Sequence, residues 1–144
     1  MYLWRPQRVI FEPRALEYER GQRLFRLFSN QPGIELATTP SHNRVTGIPG
    51  KTAKEAYDEA KRTLVIGVRK ISEFATCKPS AHYQLPLATS CPGKCEYCYL
   101  NTTLGKRPYV RIYVNVEEVL EKAASYIEAR LPWAIWSAST SCWT

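Results

Sequence analysis

Residues 83–100 read YQLPLATSCPGKCEYCYL, an apolar stretch that leads directly into a cysteine-rich loop. Its first part, Tyr83–Ala88, predicts a β-strand. The chain continues with an extended stretch at residues 109–114 (YVRIYV) and a helix predicted from Asn115 to about Arg130. A strand, a loop and a helix in this order are typical of α/β sheets and barrels, which place their chemistry on loops after the strands.

The chain before this stretch also alternates strands and helices. Hydrophobic periodicity predicts five elements there: Arg8–Glu12 (strand), Glu19–Ser29 (helix), Ile34–Thr39 (strand), Thr52–Arg62 (helix) and Thr63–Val68 (strand). Thr52 and Glu55 have the spacing of a capping box, which marks a helix start. The continuous β-branched run in Thr63–Val68 indicates a strand covered on both faces. The predicted class is therefore α/β.

Composition limits the functional classes. The chain has 144 residues, 44% of them hydrophobic, which suffices for one domain with a core. Its formal charge of +7 favours a polyanionic partner, nucleic acid first, although the dispersed basic residues fit a merely solvated basic surface equally well. The sequence shows no secretory signal and no apolar run of membrane-spanning length, so we expect a cytoplasmic protein without a membrane partner.

Three of the five cysteines, Cys91, Cys95 and Cys98, lie within eight residues. In a cytoplasmic protein such a group indicates a metal site more than a disulfide. Thiolates on one short, turning loop suit an iron–sulfur cluster, and three of them leave one iron of a [4Fe–4S] cluster without a cysteine. Two alternatives remain. Structural zinc would need a fourth ligand, for which the candidates are Cys77, His82 and Cys142, and buried cysteines can be inert.

The cysteine loop resembles that of radical-SAM enzymes, because the spacing CxxxCxxC is combined with an aromatic residue, Tyr97, just before the third cysteine. This resemblance implies that Cys91, Cys95 and Cys98 hold a [4Fe–4S] cluster whose open iron binds S-adenosylmethionine (SAM). It also implies a reductant for the cluster, and a 5′-deoxyadenosyl radical that abstracts a hydrogen atom from the substrate.

The flanking segments FEPRALEY, TTPSHNRVTGIPGK and KRTLVIGVRK, together with CEYCYL, resemble the spore photoproduct lyase family. The resemblance implies a DNA repair lyase that reverses a methylene-bridged thymine dimer in the spore core, built on a partial (β/α)6 barrel. It also implies catalytic roles for Tyr97 and Tyr99, with Tyr97 in contact with SAM. Loop packing is the alternative for both tyrosines. His42 and His82 receive no role.

The resemblance predicts three segments: an amino-terminal α/β region (1–80), the start of a radical-SAM barrel (81–132) and a tail outside the family (133–144). The tail is rich in Trp and free of charge, and we expect a frameshift or truncation near residue 132. The family's hydrogen-donor cysteine would fall at Ser141, beside Cys142, and the flanks do not match.

An incomplete barrel would leave the strand Tyr83–Ala88 without its neighbour and the chain an inactive fragment. The alternatives are a non-catalytic basic module that binds a cluster or nucleic acid, and a radical-SAM enzyme with another substrate.

Overall fold

The structure is a computed structural model that describes residues 4–76, 82–95, 97 and 108–129, and the backbone of residues 136–141. Its helices are a short 3₁₀ helix at Pro13–Glu17, α1 (Glu19–Ser29), α2 (Ala53–Lys61) and α3 (Val116–Glu128). Its strands are β1 (Arg8–Phe11), β2 (Glu35–Thr38), β3 (Thr63–Gly67), β4 (Tyr83–Thr89), β5 (Val110–Tyr113) and β6 (Trp136–Ser141). The predicted α/β class is confirmed, and every predicted helix and strand is present with nearly the predicted bounds.

All six strands form one sheet in the order β2-β1-β3-β5-β4-β6. β1, β2, β3 and β5 run parallel to one another, whereas β4 is antiparallel to β5 and parallel to β6. The direction of the sheet therefore reverses between β5 and β4. As a result, the loop that leaves the carboxyl end of β4 lies beside the amino ends of β3 and β5.

One expectation is wrong. The strand Tyr83–Ala88 does not lack a neighbour, because β4 pairs with β5 on one side and with β6, from the tail, on the other. Strand pairing uses backbone N–H and C=O groups, which every residue except Pro supplies. A tail without alternating hydrophobicity can therefore extend the sheet. Its side-chain pattern gave no strand signal because backbone pairing does not require such a pattern.

The core lies on both faces of the sheet. On one face α1 covers a cluster that includes Phe11, Ile66 and Val110, and on the other α2 covers Ile10 and Val65. Because neighbouring strand residues point to opposite faces, β3 is buried along its whole length, as its β-branched run predicted. A third cluster, Phe74, Tyr83, Val119 and Ala123, packs α3 against β4.

The two predicted helix starts differ in detail. Thr52 and Glu55 form the complete capping box at the start of α2. Asn115 precedes α3, but its side chain does not cap that helix. It is fully buried and instead binds the backbone N–H and C=O of Arg69 and the side chain of Glu118. No helix in the described part of the chain is long and apolar enough to cross a membrane.

Candidate functional site

The cysteine loop begins with a sharp turn at the end of β4. Ser90 has a φ of 71°, in the left-handed region that few residues other than glycine adopt. Its hydroxyl donates a hydrogen bond of 2.8 Å to the carbonyl of Pro108, and the side chain is buried. This bond holds the turn against the chain that enters β5. Cys91 therefore comes directly after a residue that is fixed to the sheet.

The sulfurs of Cys91 and Cys95 face the same point in space. A Cβ atom built on Gly93 would lie 3.4 Å from the Cys91 sulfur and 3.8 Å from the Cys95 sulfur. The glycine N–H also donates to the Cys91 sulfur at 3.3 Å. Backbone N–H groups directed at thiolate sulfur are one of the features that tune iron–sulfur clusters. The two sulfurs, which both lie close to one point over Gly93, are thus placed as ligands of one shared metal cluster would have to be.

Cys91 is half-buried and Cys95 is exposed, and neither forms a disulfide. The third predicted ligand, Cys98, lies outside the described residues, as do Cys77 and Cys142, two of the three candidates for a fourth zinc ligand. Within the described residues no group of three His, Cys, Asp or Glu side chains could hold a metal ion. Cys91 and Cys95 therefore stay predicted ligands, and the structure describes only two of the three predicted cysteines.

A buried lysine attaches the cysteine loop to α2. Lys61 is only 1% exposed, and its ammonium group donates a hydrogen bond of 2.8 Å to the carbonyl of Cys91. The ammonium also lies 5.5 Å from the centre of the Tyr57 ring, a cation–π distance. Burial of a charged side chain is costly unless it is well coordinated, so this contact fixes the first cysteine of the loop.

A second, exposed contact joins the same two elements. Lys94, between the two described cysteines, pairs with Asp58 of α2, and this hydrogen bond holds the pKa of Asp58 below its ordinary value. Lys61 is not among the functional residues predicted from the sequence. A signal was present, because Lys61 follows Tyr57 by four residues and therefore lies on the inward face of α2.

The predicted tyrosines differ in what the structure describes. Tyr97 is 93% exposed, so its ring does not pack within the core. Such exposure is the opposite of what the loop-packing alternative requires, and it leaves the ring open to a bound molecule. Tyr99 lies outside the described residues. The catalytic and SAM-binding roles of these tyrosines therefore stay predictions.

His42, which received no role from the sequence, lies in a buried polar cluster at the opposite edge of the sheet. Its Nδ1 lies 2.7 Å from Oε2 of Glu12, and both side chains are about nine-tenths buried. The same carboxylate oxygen accepts a hydrogen bond from the N–H of Val68. Gly67 permits this arrangement, because a Cβ there would lie 2.7 Å from the His42 Cβ. His82 precedes β4 and is half-buried.

The comparisons with known proteins agree with this fold and loop. The family model for spore photoproduct lyase matches residues 4–143. The chain belongs to the spore photoproduct lyase family. It is 56% identical over 127 residues to spore photoproduct lyase of Bacillus subtilis (strain 168) and 53% identical over 127 residues to that of Geobacillus sp. (strain Y412MC61). These matches cover 88% of this chain and 37% of each relative.

Solved structures give the same result. A double mutant of spore photoproduct lyase with bound AdoMet and dinucleoside spore photoproduct superposes with a TM-score of 0.88 at 50% identity, over 93% of this chain and 39% of that one. Spore photoproduct lyase complexed with dinucleoside spore photoproduct gives a TM-score of 0.89 at 48% identity, over 94% and 40%. The expected relation to a partial radical-SAM fold is thus confirmed. The chain spans about two-fifths of the length of the proteins that it matches.

Proposed function

We propose that this chain is the cluster-binding part of a radical-SAM DNA repair lyase that reverses the spore photoproduct to two thymines. The observation that carries the proposal is the convergence of the Cys91 and Cys95 sulfurs on the space over Gly93. It supports a cluster ligand set within a family whose solved members include a complex with AdoMet.

Cys91, Cys95 and Cys98 would hold the [4Fe–4S] cluster, and the iron without a cysteine would bind SAM. When bound, the cluster would supply the chemistry of the reaction, namely transfer of an electron from an external reductant to SAM. The chain's own residues supply the position. Lys61 holds the Cys91 carbonyl, the Gly93 N–H donates to the Cys91 sulfur, and Tyr97, whose ring is exposed, is the proposed contact to SAM.

The proposed substrate is DNA that carries the methylene-bridged thymine dimer. Two observations support it: a relative is complexed with dinucleoside spore photoproduct, and the formal charge of +7 favours a polyanion. The proposed compartment is the cytoplasm, and the spore core in an endospore-forming host.

Anaerobic reconstitution with iron and sulfide tests the proposal. We expect a brown protein with the broad absorption of a [4Fe–4S] cluster that converts SAM to 5′-deoxyadenosine when dithionite is added. Return of a dinucleotide that carries the spore photoproduct to two thymines would show complete repair, against the expectation that the incomplete barrel makes this chain an inactive fragment. The Cys91→Ala variant is the matched negative control, since it removes one ligand. A reconstituted wild-type chain that holds iron but never cleaves SAM would overturn the enzymatic proposal.

That last outcome would favour the second candidate, a non-catalytic module that binds a cluster. SAM cleavage separates the two candidates, and the lesion-bearing dinucleotide separates the first from a radical-SAM enzyme with another substrate.

A further inference from the structure

A small cavity lies between β4, β5 and the segment that follows β3. Its volume is about 160 Å³, and its wall includes Arg69, Lys70, Thr89, Arg111 and Tyr113. Because a water molecule in liquid occupies about 30 Å³, the cavity has room for about five waters or one tetrahedral anion. Thr89, at the end of β4, lines the cavity and is two residues before Cys91 in the chain.

The cavity wall is strongly basic. Arg69, Lys70 and Arg111 contribute three cations, whereas Glu73 is the one carboxylate of the described lining. No carboxylate among the described residues forms an ion pair with any of these three cations. Like charges around a partly enclosed space repel one another, and a bound anion would relieve that repulsion.

Both guanidinium groups are already oriented by aromatic rings. The guanidinium carbon of Arg69 lies 5.5 Å from the centre of the Tyr113 ring, and that of Arg111 lies 4.9 Å from the centre of the Tyr109 ring. Cation–π contacts at these distances restrict the two side chains, and guanidinium N–H groups can still make bidentate contacts to an anion. Less side-chain entropy is then lost when an anion binds.

Arg111 also carries an unsatisfied donor. One of its terminal nitrogens donates to the Asn43 side chain at 3.2 Å, whereas its Nε is buried without a hydrogen-bond partner in the described structure. A buried guanidinium N–H without an acceptor is costly, and native proteins seldom leave such groups unpaired. The missing acceptor is one that an oxygen of a bound anion can supply.

We propose that the cavity is a phosphate subsite, and that Arg69 and Arg111 bind one backbone phosphate of a bound nucleic-acid strand. The choice of a phosphodiester rests on the proposed function, in which the substrate is DNA. A phosphate contact of this kind would fix the register of the strand without reading its sequence.

Binding of a fluorescent thymidine oligonucleotide to the full chain, measured by anisotropy over a range of salt concentrations, tests the proposal. Arg111→Gln and Arg69→Gln should each weaken binding about tenfold and lower the salt slope by about one, because each removes a charge-assisted contact. Arg23→Gln changes the net charge equally on exposed α1 and should weaken binding no more than about twofold. Inorganic phosphate should compete with the oligonucleotide in the wild type.

Several outcomes would overturn the subsite. One is an equal effect of Arg111→Gln and Arg23→Gln, and another is a wild-type chain that does not bind the oligonucleotide. A third is an arginine variant that no longer binds inorganic phosphate, as measured by phosphorus NMR, but keeps its affinity for the oligonucleotide. That result would assign the cavity to free phosphate. Circular dichroism checks folding. If Arg111→Gln does not fold, Arg69→Gln carries the test. SAM cleavage is measured separately, so failure of the subsite and failure of the lyase proposal are distinguishable.

Discussion

A buried charged side chain lies at each of the two edges of the sheet where strands begin or end, and the two side chains make different contacts. At the cysteine edge, where β3 and β5 begin, the ammonium of Lys61 is directed at a backbone carbonyl of the cysteine loop. At the carboxyl edge, where β1 and β3 end, the carboxylate of Glu12 is enclosed by His42 and the Val68 N–H.

The cysteine loop can therefore act as a binding loop, whereas the contact of Glu12 with His42 and Val68 is a structural joint between strands. The carboxyl edge is closed, since Glu12 and His42 are both buried and satisfy each other. The cysteine edge is fastened at Cys91 but open beyond it, where Cys95 and Tyr97 are exposed. A loop held at its base and open at its tip can accept a bound group without unfolding of the sheet.

The largest effect should come from Glu12→Ala at the carboxyl edge. The substitution leaves the His42 ring and the Val68 N–H without their acceptor, and each buried unsatisfied group costs about 1–3 kcal/mol. We expect the free energy of unfolding to fall by about 2–5 kcal/mol. Urea denaturation measures it, with Glu17→Ala as the exposed control. A loss no larger than that of the control would mean that the joint is not structural.

Lys61→Met should have the next largest effect. Methionine keeps much of the apolar volume but removes the donor to the Cys91 carbonyl, and a hydrogen bond from a charged group contributes about 1.5–3 kcal/mol. We expect the free energy of unfolding to fall by about that amount. We also expect alkylation of the Cys91 thiol in the metal-free chain to accelerate, as measured by mass spectrometry.

Lys54→Met, on the exposed face of the same helix, is the matched control. An unchanged alkylation rate in Lys61→Met would show that the lysine does not hold the loop, whatever its effect on stability.

The same contrast explains what the sequence could predict. Hydrophobic periodicity located the helices, because one face of each is turned to the core, and continuous apolar runs located β1 and β3, which are almost completely buried. The motif located Cys91 and Cys95, because the spacing of thiolates along one loop is itself the signal. Both kinds of information are local in sequence.

The missed features are contacts between distant parts of the chain. Lys61 is 30 residues from Cys91, and Glu12 is 30 residues from His42. β6 also escaped prediction, since backbone pairing with β4 imposes no side-chain pattern. A lysine or a glutamate is ordinarily assigned to the surface, and only the topology of the sheet shows that these two are buried.

Gly93→Ala should have a smaller effect, confined to the cysteine edge. The added methyl group would lie against the Cys91 and Cys95 sulfurs, where the cluster is proposed to bind. We therefore expect the affinity for iron to fall about tenfold, the lower end of the range for substitution of residues that support metal ligands. The free energy of unfolding of the metal-free variant should stay near that of the wild type. Iron content after reconstitution measures the effect, and full iron loading would contradict the proposed position of the cluster.

The smallest effect concerns a solvent-exposed bond near the carboxyl edge. The hydroxyl of Tyr18 donates a hydrogen bond of 2.6 Å to Glu118, and this bond, followed by that from Asn115, lowers the pKa of Glu118. A lowered pKa in the folded state stabilises the protein above the carboxyl group's ordinary pKa of about 4.3, and this contribution is lost as the pH falls through the folded-state value.

Tyr18→Phe should therefore raise the pKa of Glu118 towards its ordinary value, and the Asn115 bond should keep it somewhat below that value. An NMR titration of the glutamate side chains measures the change. Glu117 is the internal control, because a backbone hydrogen bond and Arg20 lower its pKa independently of Tyr18. The stability difference between Tyr18→Phe and the wild type should shrink as the pH falls through the lowered folded-state pKa of Glu118, since both proteins carry a neutral Glu118 below it. A Glu118 pKa that does not move would show that Asn115 alone, from the closed edge, sets it.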